Sequence, residues 1–239
     1  MMPIGDDNSG NTIRPYINYL LIAANIVVFI FFQGMGGNQA FLMSFATVPQ
    51  EIISGNDVVG PNGLMTTPIP VWGTIFTAMF MHGSIAHIGG NMLYLWIFGD
   101  NLENRMGHGK YLAFYLLTGV LATLSHVFLS SALGRDLLIP SLGASGAISG
   151  VLGGYLVLFP KNQVRVIALN TIINVPAIVS LGIWIAMQVV SGMSMFGGEG
   201  SGGGVAYAAH IGGFIAGMIL VKFFAGRAPA TIEDQYRRQ

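Results

Sequence analysis

The sequence predicts an all-α membrane protein, a bundle of six transmembrane helices with both termini in the cytoplasm. Three observations support this fold class. Only 8% of the 239 residues are charged, whereas a soluble domain carries roughly 25%, and the mean hydropathy is +0.65. Six apolar stretches come close to the ~20 residues that a spanning helix needs. The basic residues, finally, are divided unequally between the segments that join these stretches.

The six predicted spans follow one another with no separate soluble domain between them. They cover residues 16–34, 79–99, 111–130, 143–160, 166–190 and 205–225. The fourth is the shortest, which suits a helix that begins below the membrane surface. We therefore expect one folded core over residues 16–225, flanked by a polar N-terminal tail (1–15) and a polar C-terminal tail (226–239).

The basic residues set the orientation, because cytoplasmic loops carry an excess of Lys and Arg. With both termini inside, nine of the ten basic residues fall in inner segments and only Arg135 falls outside. The sequence has no basic patch, so nucleic acid is not an expected partner. Membrane lipid is the expected surrounding of the six apolar spans. Asp6 and Asp7 stand where a signal peptide would be positive, which predicts an uncleaved first span. The expected location is the plasma (inner) membrane of a prokaryote, with an organelle membrane as the alternative.

Two of the connections between spans are unusual. Residues 35–72 form a long outer connection with four prolines, apolar enough to lie partly in the membrane interface. Long loops of this kind are often functional. Residues 192–204 hold seven glycines between the fifth and sixth spans and should be flexible. Residues 100–110 are expected to form a short inner loop. The chain has no cysteine, which excludes disulfide and thiol chemistry.

Polar side chains at membrane depth are costly and mark functional sites, and three predicted spans carry them at one level. Ser145 lies at the start of the fourth span, and His210 lies about five residues into the sixth, on the order of 8 Å below the outer edge. His87 and Asn91 lie early in the second span. These three spans all run from outside to inside, so the four groups share one outer layer.

This combination of residues indicates nucleophilic catalysis. A serine hydroxyl attacks a carbonyl when a nearby base accepts its proton, and a histidine in apolar surroundings stays neutral and able to do so. All ten Asp and Glu residues lie in loops, tails or span ends, so we expect a Ser145–His210 dyad without a carboxylate. Such a site needs no cofactor and no metal.

The same layer supplies donors for an oxyanion. The first N–H groups of the fourth helix are free and its dipole favours negative charge. His87 and Asn91 are four residues apart and therefore share a helix face. His82 is nine residues before Asn91, on the opposite face of an ideal helix, and is assigned a supporting role.

Each signal also has a purely structural explanation. Glycine, alanine and serine are ordinary packing residues of membrane helices. The Gly-x-Ser-Gly sequence around Ser145 would, alone, favour packing, and the spacing of Gly213 and Gly217 is most simply a close helix contact. A lone membrane histidine such as His126 is more often a hydrogen-bonded packing residue. Catalysis is favoured because the groups share one depth, lack competing acids and occur on three separate helices.

Two other functional classes fit the sequence less well. A metal-dependent protein would use His82, His87 and His210, but the chain lacks the His-Glu-x-x-His spacing of such sites. A transporter would place its polar site near the midplane, between broken helices related by a repeat. The polar layer here lies near one face instead.

The motifs resemble those of the rhomboid intramembrane serine proteases over residues 72–217. The Gly-x-Ser-Gly pattern of their fourth span is Gly143-Ala144-Ser145-Gly146 here. Their Ala-His-x-x-Gly-x-x-x-Gly pattern on the sixth span runs from Ala209 through His210 and Gly213 to Gly217. Their His-x-x-x-x-His-x-x-x-Asn pattern on the second is His82, His87 and Asn91, and the inner Glu-x-Arg-x-Gly runs from Glu103 to Gly107.

The resemblance implies a six-helix rhomboid fold and a serine endopeptidase, with Ser145 as nucleophile and His210 as general base. It implies an oxyanion site formed by the Ser145 N–H, His87 and Asn91, with His82 and the motif glycines Gly143, Gly146, Gly213 and Gly217 in support. Substrates would be single-span membrane proteins whose helices unwind easily, admitted by the long first loop and the fifth span. The alternative is a rhomboid-like chaperone or trafficking protein, although such relatives usually lack the serine or the histidine.

Two positions depart from the pattern of some family members. Where they carry a Tyr or Phe four residues after the serine, with its ring stacked on the histidine, this chain has Ser149. Where they carry a Trp-Arg pair in the first loop, it has Trp72-Gly73. Neither departure removes a catalytic group, but the first leaves the orientation of His210 unexplained.

Overall fold

The fold is mostly helical, with one small sheet. The structure, a computed structural model, describes residues 2–169, 171–193 and 207–226. The longer helices of this part are α1 (Tyr16–Val27, extended by a π-helical turn over Val28–Phe32), α5 (Ile85–Met106), α6 (His108–Leu133), α7 (Ser145–Leu158), α8 (Ala177–Met193) and α9 (Tyr207–Phe224). Short helices α2 (Gln39–Phe45), α3 (Pro49–Ser54) and α4 (Thr74–Ala78) divide the long first connection.

Helices α6, α7 and α9 form the centre of the bundle, and small residues bring them together. A Cβ on Gly213 would overlap the carbonyl oxygen of Gly146, and one on Gly217 would overlap that of Gly150. Helix α6 joins them through Ala122, whose Cβ would lie 2.7 Å from a Cβ on Gly146. Backbones approach this closely only where side chains are absent. The glycines therefore fix how α7 lies against α9, and with it the separation of Ser145 and His210.

Helix α5 is longer at its C-terminal end than the sequence predicted. Residues 100–106, expected in a loop, complete the helix, which ends at Gly107 with φ 79°. This extra turn buries the carboxylate of Glu103, which accepts hydrogen bonds from the backbone N–H groups of Ile17 (2.9 Å) and Asn18 (2.7 Å). Helix α1 has no capping side chain of its own, so Glu103 satisfies its free N–H groups from across the bundle.

The all-α prediction is wrong in one region, where three strands form an antiparallel sheet. Strand β2 (Gln163–Ala168) lies between β1 (Met2–Asp6) and β3 (Thr171–Pro176). The fifth span, predicted as a helix over 166–190, is thus a hairpin followed by α8. Hydropathy alone does not distinguish a strand from a helix in residues 163–176. Two features favour strands here: β-branched Val and Ile residues prefer them, and β2 alternates exposed and buried positions. Residues 2–6 of the supposed polar tail pair with β2.

The helix lengths agree only in part with six spans. Helices α6 and α9 are long and apolar enough to cross a membrane, whereas the apolar segments Tyr16–Phe32, Ser145–Leu158 and Ala177–Met193 are shorter. The count of six and the side on which the termini lie stay predictions. All but the first two residues of the glycine-rich segment 192–204, and all but the first residue of the tail 226–239, lie outside the described residues.

Candidate active site

Ser145 and His210 lie in direct contact. Ser145 is the first residue of α7, and His210 lies one turn into α9. The Oγ of Ser145 is 2.8 Å from Nε2 of His210, which is within the range expected for a nucleophile and its base. The glycine contacts between α7 and α9 hold the two helices that carry this pair.

The turn before Ser145 requires a glycine. Gly143 has φ +130°, a backbone conformation that other residues rarely adopt. Its N–H donates to the carbonyl oxygen of Ala78 at 2.9 Å. A Cβ at this position would lie 3.0 Å from Nε2 of His87 and 3.5 Å from Oγ of Ser145. The missing side chain therefore leaves free the space between the nucleophile and the donor on α5.

His87 and Asn91 present unused donors to that space. The backbone N–H of Gly83 donates to Nδ1 of His87 at 3.4 Å, which assigns the ring proton to Nε2, on the side of Gly143 and Ser145. The amide nitrogen of Asn91 is buried and, within the described part of the chain, has no hydrogen-bond partner. Buried donors without partners are rare in folded proteins, so the Asn91 amide is poised to receive an acceptor from outside the chain, and His87 lines the same cavity.

His82 supports His87 from behind. It precedes α5 and is fully buried, and its ring meets that of His87 edge to face at 5.0 Å. The side chain of Gln33, also buried, makes two hydrogen bonds with the His82 backbone. It donates to the carbonyl oxygen of His82 and accepts from the His82 N–H, both at 2.9 Å. These two bonds hold the His82 backbone just before α5, and His82 does not line the cavity described next. Its supporting role stays a prediction.

A cavity of about 540 Å³ brings these groups together. Residues of six helices, α4 to α9, line it, among them Ser145, His210, His87, Asn91, Trp184 and Gln188. The sequence placed the first four of these in one layer, and the structure places them around one volume.

A family model and several relatives identify this architecture. The Rhomboid domain model matches residues 70–227, which include every residue of the cavity lining named above. The chain belongs to the rhomboid family. Its members are embedded in membranes, and Ser145 and His210 both lie within the matched residues.

The curated relatives include bacterial and mitochondrial proteins. Rhomboid protease GluP from Bacillus subtilis is 30% identical over 220 residues, which is 90% of this chain and 35% of the relative. Rhomboid protein 1, mitochondrial, from Saccharomyces cerevisiae is 28% identical over 221 residues, 92% and 56% of the two chains. The human Presenilin-associated rhomboid-like protein, mitochondrial, is 28% identical over 206 residues, which is 85% of this chain and 47% of the relative. This rhomboid thus spans between about a third and just over half of these relatives.

The Ser149 side chain does not contact or orient His210 in this rhomboid. The Ser149 hydroxyl donates to the carbonyl oxygen of Ser145 at 2.6 Å and so stays on its own helix. Two aromatic rings from elsewhere flank His210 instead. The Trp184 ring lies 6.1 Å from the imidazole and the Tyr207 ring lies 6.4 Å from it, nearly perpendicular.

Sequence reasoning missed Gln188, which contacts the base directly. Its Oε1 lies 2.7 Å from Nδ1 of His210, on the side of the ring opposite Ser145. A signal was present in the sequence, because Gln188 is an amide in the middle of the apolar stretch 181–190, and such residues in membrane helices call for a partner. A carboxylate is not the only acceptor for a histidine N–H, because an amide oxygen accepts as well.

The other histidines have separate surroundings. His126 is buried on α6, and its Nδ1 has no hydrogen-bond partner among the residues described, contrary to the hydrogen-bonded packing role expected of it. His108, expected in a loop, begins α6 and bonds to Glu103. Across 2–169, 171–193 and 207–226, no three His, Asp or Glu side chains are grouped to hold a metal ion.

Proposed function

We propose that this rhomboid is an intramembrane serine endopeptidase that cleaves transmembrane segments of single-span membrane proteins through a Ser145–His210 dyad. The observation that carries the proposal is the 2.8 Å contact of Ser145 Oγ with His210 Nε2, in a cavity lined by two further polar side chains. A packing role would explain a serine and a histidine in contact, but it does not explain why His87 and Asn91 line the same cavity.

The proposed topology has six spans with both termini in the cytoplasm. The spans are α1 with its π-helical turn, α5, α6, α7, α8 and α9. Lys161 and Arg165, in the turn before β2 and in β2 itself, stay on the inner side in this topology, as the distribution of basic residues requires. The start of α7 and the start of α9 then lie in the outer half of the membrane. Peptide-bond cleavage would take place there.

In the acylation step, the Ser145 oxygen attacks the carbonyl carbon of the substrate peptide bond. His210 Nε2 accepts the hydroxyl proton as the new C–O bond forms. The carbonyl oxygen becomes negative, and its position beside the N-terminus of α7 lets the Ser145 N–H, His87 Nε2–H and Asn91 amide donate to it. These donors are fixed before the reaction begins, which is what makes such a site effective.

Collapse of the tetrahedral intermediate breaks the peptide C–N bond. The imidazolium of His210 gives its proton to the departing amine, and an ester between Ser145 and the N-terminal fragment remains. Water, deprotonated by the same nitrogen, then attacks the ester carbonyl and releases a carboxylic acid. Ser145 recovers its proton, so the chain completes the cycle with no metal or cofactor.

The substrate class follows from the depth of the site. A peptide bond within a transmembrane helix is hidden by its own side chains and hydrogen bonds, so the segment must unwind to reach Ser145. Segments with helix-breaking residues near the outer face of the membrane are therefore the proposed substrates. Relatives named as a protease and as mitochondrial rhomboid proteins share the family, which supports this class without identifying a substrate.

The test is cleavage of a panel of tagged single-span substrates by purified protein in liposomes. Ser145→Ala and His210→Ala should each lower cleavage by about 10³-fold or more while folding is retained. The matched control is Ser131→Ala, at an exposed position of α6, which should cleave as the unaltered protein does. A serine-reactive fluorophosphonate should label Ser145 and spare Ser145→Ala.

Two results would contradict the proposal. Retained cleavage in either dyad variant would exclude the dyad. If the folded protein binds transmembrane segments but neither cleaves any of them nor reacts with the fluorophosphonate, the chaperone or trafficking alternative is favoured instead.

A further inference from the structure

The imidazole of His210 is held from both sides. On one side Nε2 lies 2.8 Å from Ser145 Oγ, and on the other Nδ1 lies 2.7 Å from Gln188 Oε1. An amide oxygen only accepts hydrogen bonds, so Nδ1 must carry the proton of a neutral ring. The lone pair of Nε2 is then left for the serine hydroxyl. Only this tautomer lets His210 act as a base toward Ser145.

We infer that Gln188 is the positioning residue of the catalytic base, so that Ser145, His210 and Gln188 form a hydrogen-bonded chain with a neutral third member. This inference rests on the proposed protease function. Gln188 acts through His210, to which its side chain is hydrogen-bonded. It also replaces the missing ring at position 149, because an acceptor at Nδ1 fixes the orientation of the imidazole as well as its proton.

A neutral third member suits the surroundings of α8. A carboxylate there would carry a charge into an apolar helix at considerable cost, whereas an amide supplies an acceptor without that charge. The amide also stabilises the imidazolium less than a carboxylate would. The contribution of Gln188 to catalysis should therefore be smaller than that of the aspartate in a Ser-His-Asp triad.

The placement of Gln188 makes the base depend on α8. Only Ala177, Leu181 and Gly192 are buried among the described residues of this helix, so it is less firmly packed than α7, where ten consecutive residues, 146–155, are buried. The ring of Trp184, one turn before Gln188, lies 6.1 Å from the rings of both His210 and Phe214. His210 is therefore fully oriented only while α8 rests against α9. A displaced α8 leaves Nδ1 without its acceptor.

The experiment compares Gln188→Met, which keeps the length of the side chain and removes the acceptor, with Gln188→Glu, which keeps an acceptor and adds charge. The control is Met187→Leu, at an exposed position of the same helix turn. We expect Gln188→Met to lower kcat by about 5- to 100-fold with little change in KM, because it removes one hydrogen bond and leaves a buried donor without a partner. Met187→Leu should leave both constants unchanged.

The pH dependence of kcat separates orientation of the base from packing of the helix. In Gln188→Glu the carboxylate would face the imidazolium, so the acid limb of the profile should move toward higher pH by about one unit or more. A residue that only packs α8 would not move this limb. Unchanged kcat in Gln188→Met, or an unmoved acid limb in Gln188→Glu, overturns the inference even where one of the two variants folds poorly.

Failure of this inference is distinguishable from failure of the proposed function. If the unaltered protein cleaves its substrates and Gln188→Met cleaves them equally well, the dyad stands and Gln188 has no part in it. If the unaltered protein neither cleaves nor reacts with the fluorophosphonate, the protease proposal itself fails, and with it the role of Gln188.

Discussion

The two ends of α5 bury polar side chains in opposite ways. At one end, the capped end (Asn101 and Glu103), every buried group has protein partners. Glu103 accepts from two N–H groups of α1, and the Asn101 amide donates to the carboxylate of Asp6. At the other end, the open end (His87 and Asn91), the Asn91 amide nitrogen has no partner in the described residues, and His87 turns its Nε2 toward the cavity.

The comparison shows how structural and functional polar groups differ on one helix. The polar side chains of the capped end are satisfied within the chain, and an unpaired buried group there would cost about 1–3 kcal/mol. A side chain that serves a reaction keeps its donor free and bears that cost until a substrate arrives. Sequence alone does not distinguish them, since Asn91 and Asn101 are the same residue type on the same helix.

Substitution of the two asparagines should separate activity from stability. Asn91→Ala should lower kcat by about 10²- to 10³-fold, because it removes one oxyanion donor, and it should leave the unfolding temperature unchanged or raised. Asn101→Ala should leave kcat of the folded protein unchanged and lower stability by about 1 kcal/mol. Cleavage kinetics and thermal unfolding in detergent measure both. Equal effects of the two substitutions on activity would remove the distinction between the ends.

The glycine contacts hold α7 against α9, and Gly217→Ala tests them. The added methyl would overlap the Gly150 carbonyl oxygen, so the helices must separate at a cost of about 2 kcal/mol. The control is Gly182→Ala on α8, where a Cβ would meet nothing within 4 Å. That substitution should be neutral or stabilising, since alanine favours helix more than glycine does. A neutral Gly217→Ala would show that this contact is not needed.

The smallest expected effect concerns pH at the capped end. Burial raises the pKa of the Asp6 carboxyl from 3.8 to about 6, although hydrogen bonds from Tyr155 and Asn101 oppose the shift. The Asp6 carboxyl binds its proton more tightly when β1 is paired with β2 than when the segment is unfolded. Its contribution to the stability of β1 is therefore full below pH ~4 and is lost as the pH rises through about 6. Asp7, also acidic, adds repulsion when Asp6 ionises.

Hydrogen exchange of the β1 amides at pH 5 and pH 7.5 measures this effect. Corrected for intrinsic rates, protection should be higher at pH 5, by on the order of 1 kcal/mol. Asp6→Asn, which stays neutral at this position, should show a smaller difference between the two pH values. An undiminished pH dependence in Asp6→Asn would assign the effect to another group.

Sequence reasoning located the helices of the core because their apolar stretches are long and carry few charges. It placed Ser145, His210, His87 and Asn91 in one layer because orientation and helix rise convert residue numbers into depth. It failed for residues 163–176, since hydropathy averages over a window and does not distinguish a strand from a helix. It also failed for Gln188, because the partner of a histidine nitrogen depends on how α8 rotates about its axis, which a sequence with so uniform an apolar content does not specify.

The small sheet connects the first residues of the chain to the helix that carries Gln188. Strand β1 pairs with β2 from Met2↔Ile167 to Asp6↔Val164, and β2 pairs with β3 as far as Gln163↔Pro176. Helix α8 begins at the next residue, Ala177. Two hydrogen-bonded ladders therefore couple residues 2–6 to the first residue of α8. A displacement of β1 would act, through the sheet, on the helix that carries Gln188.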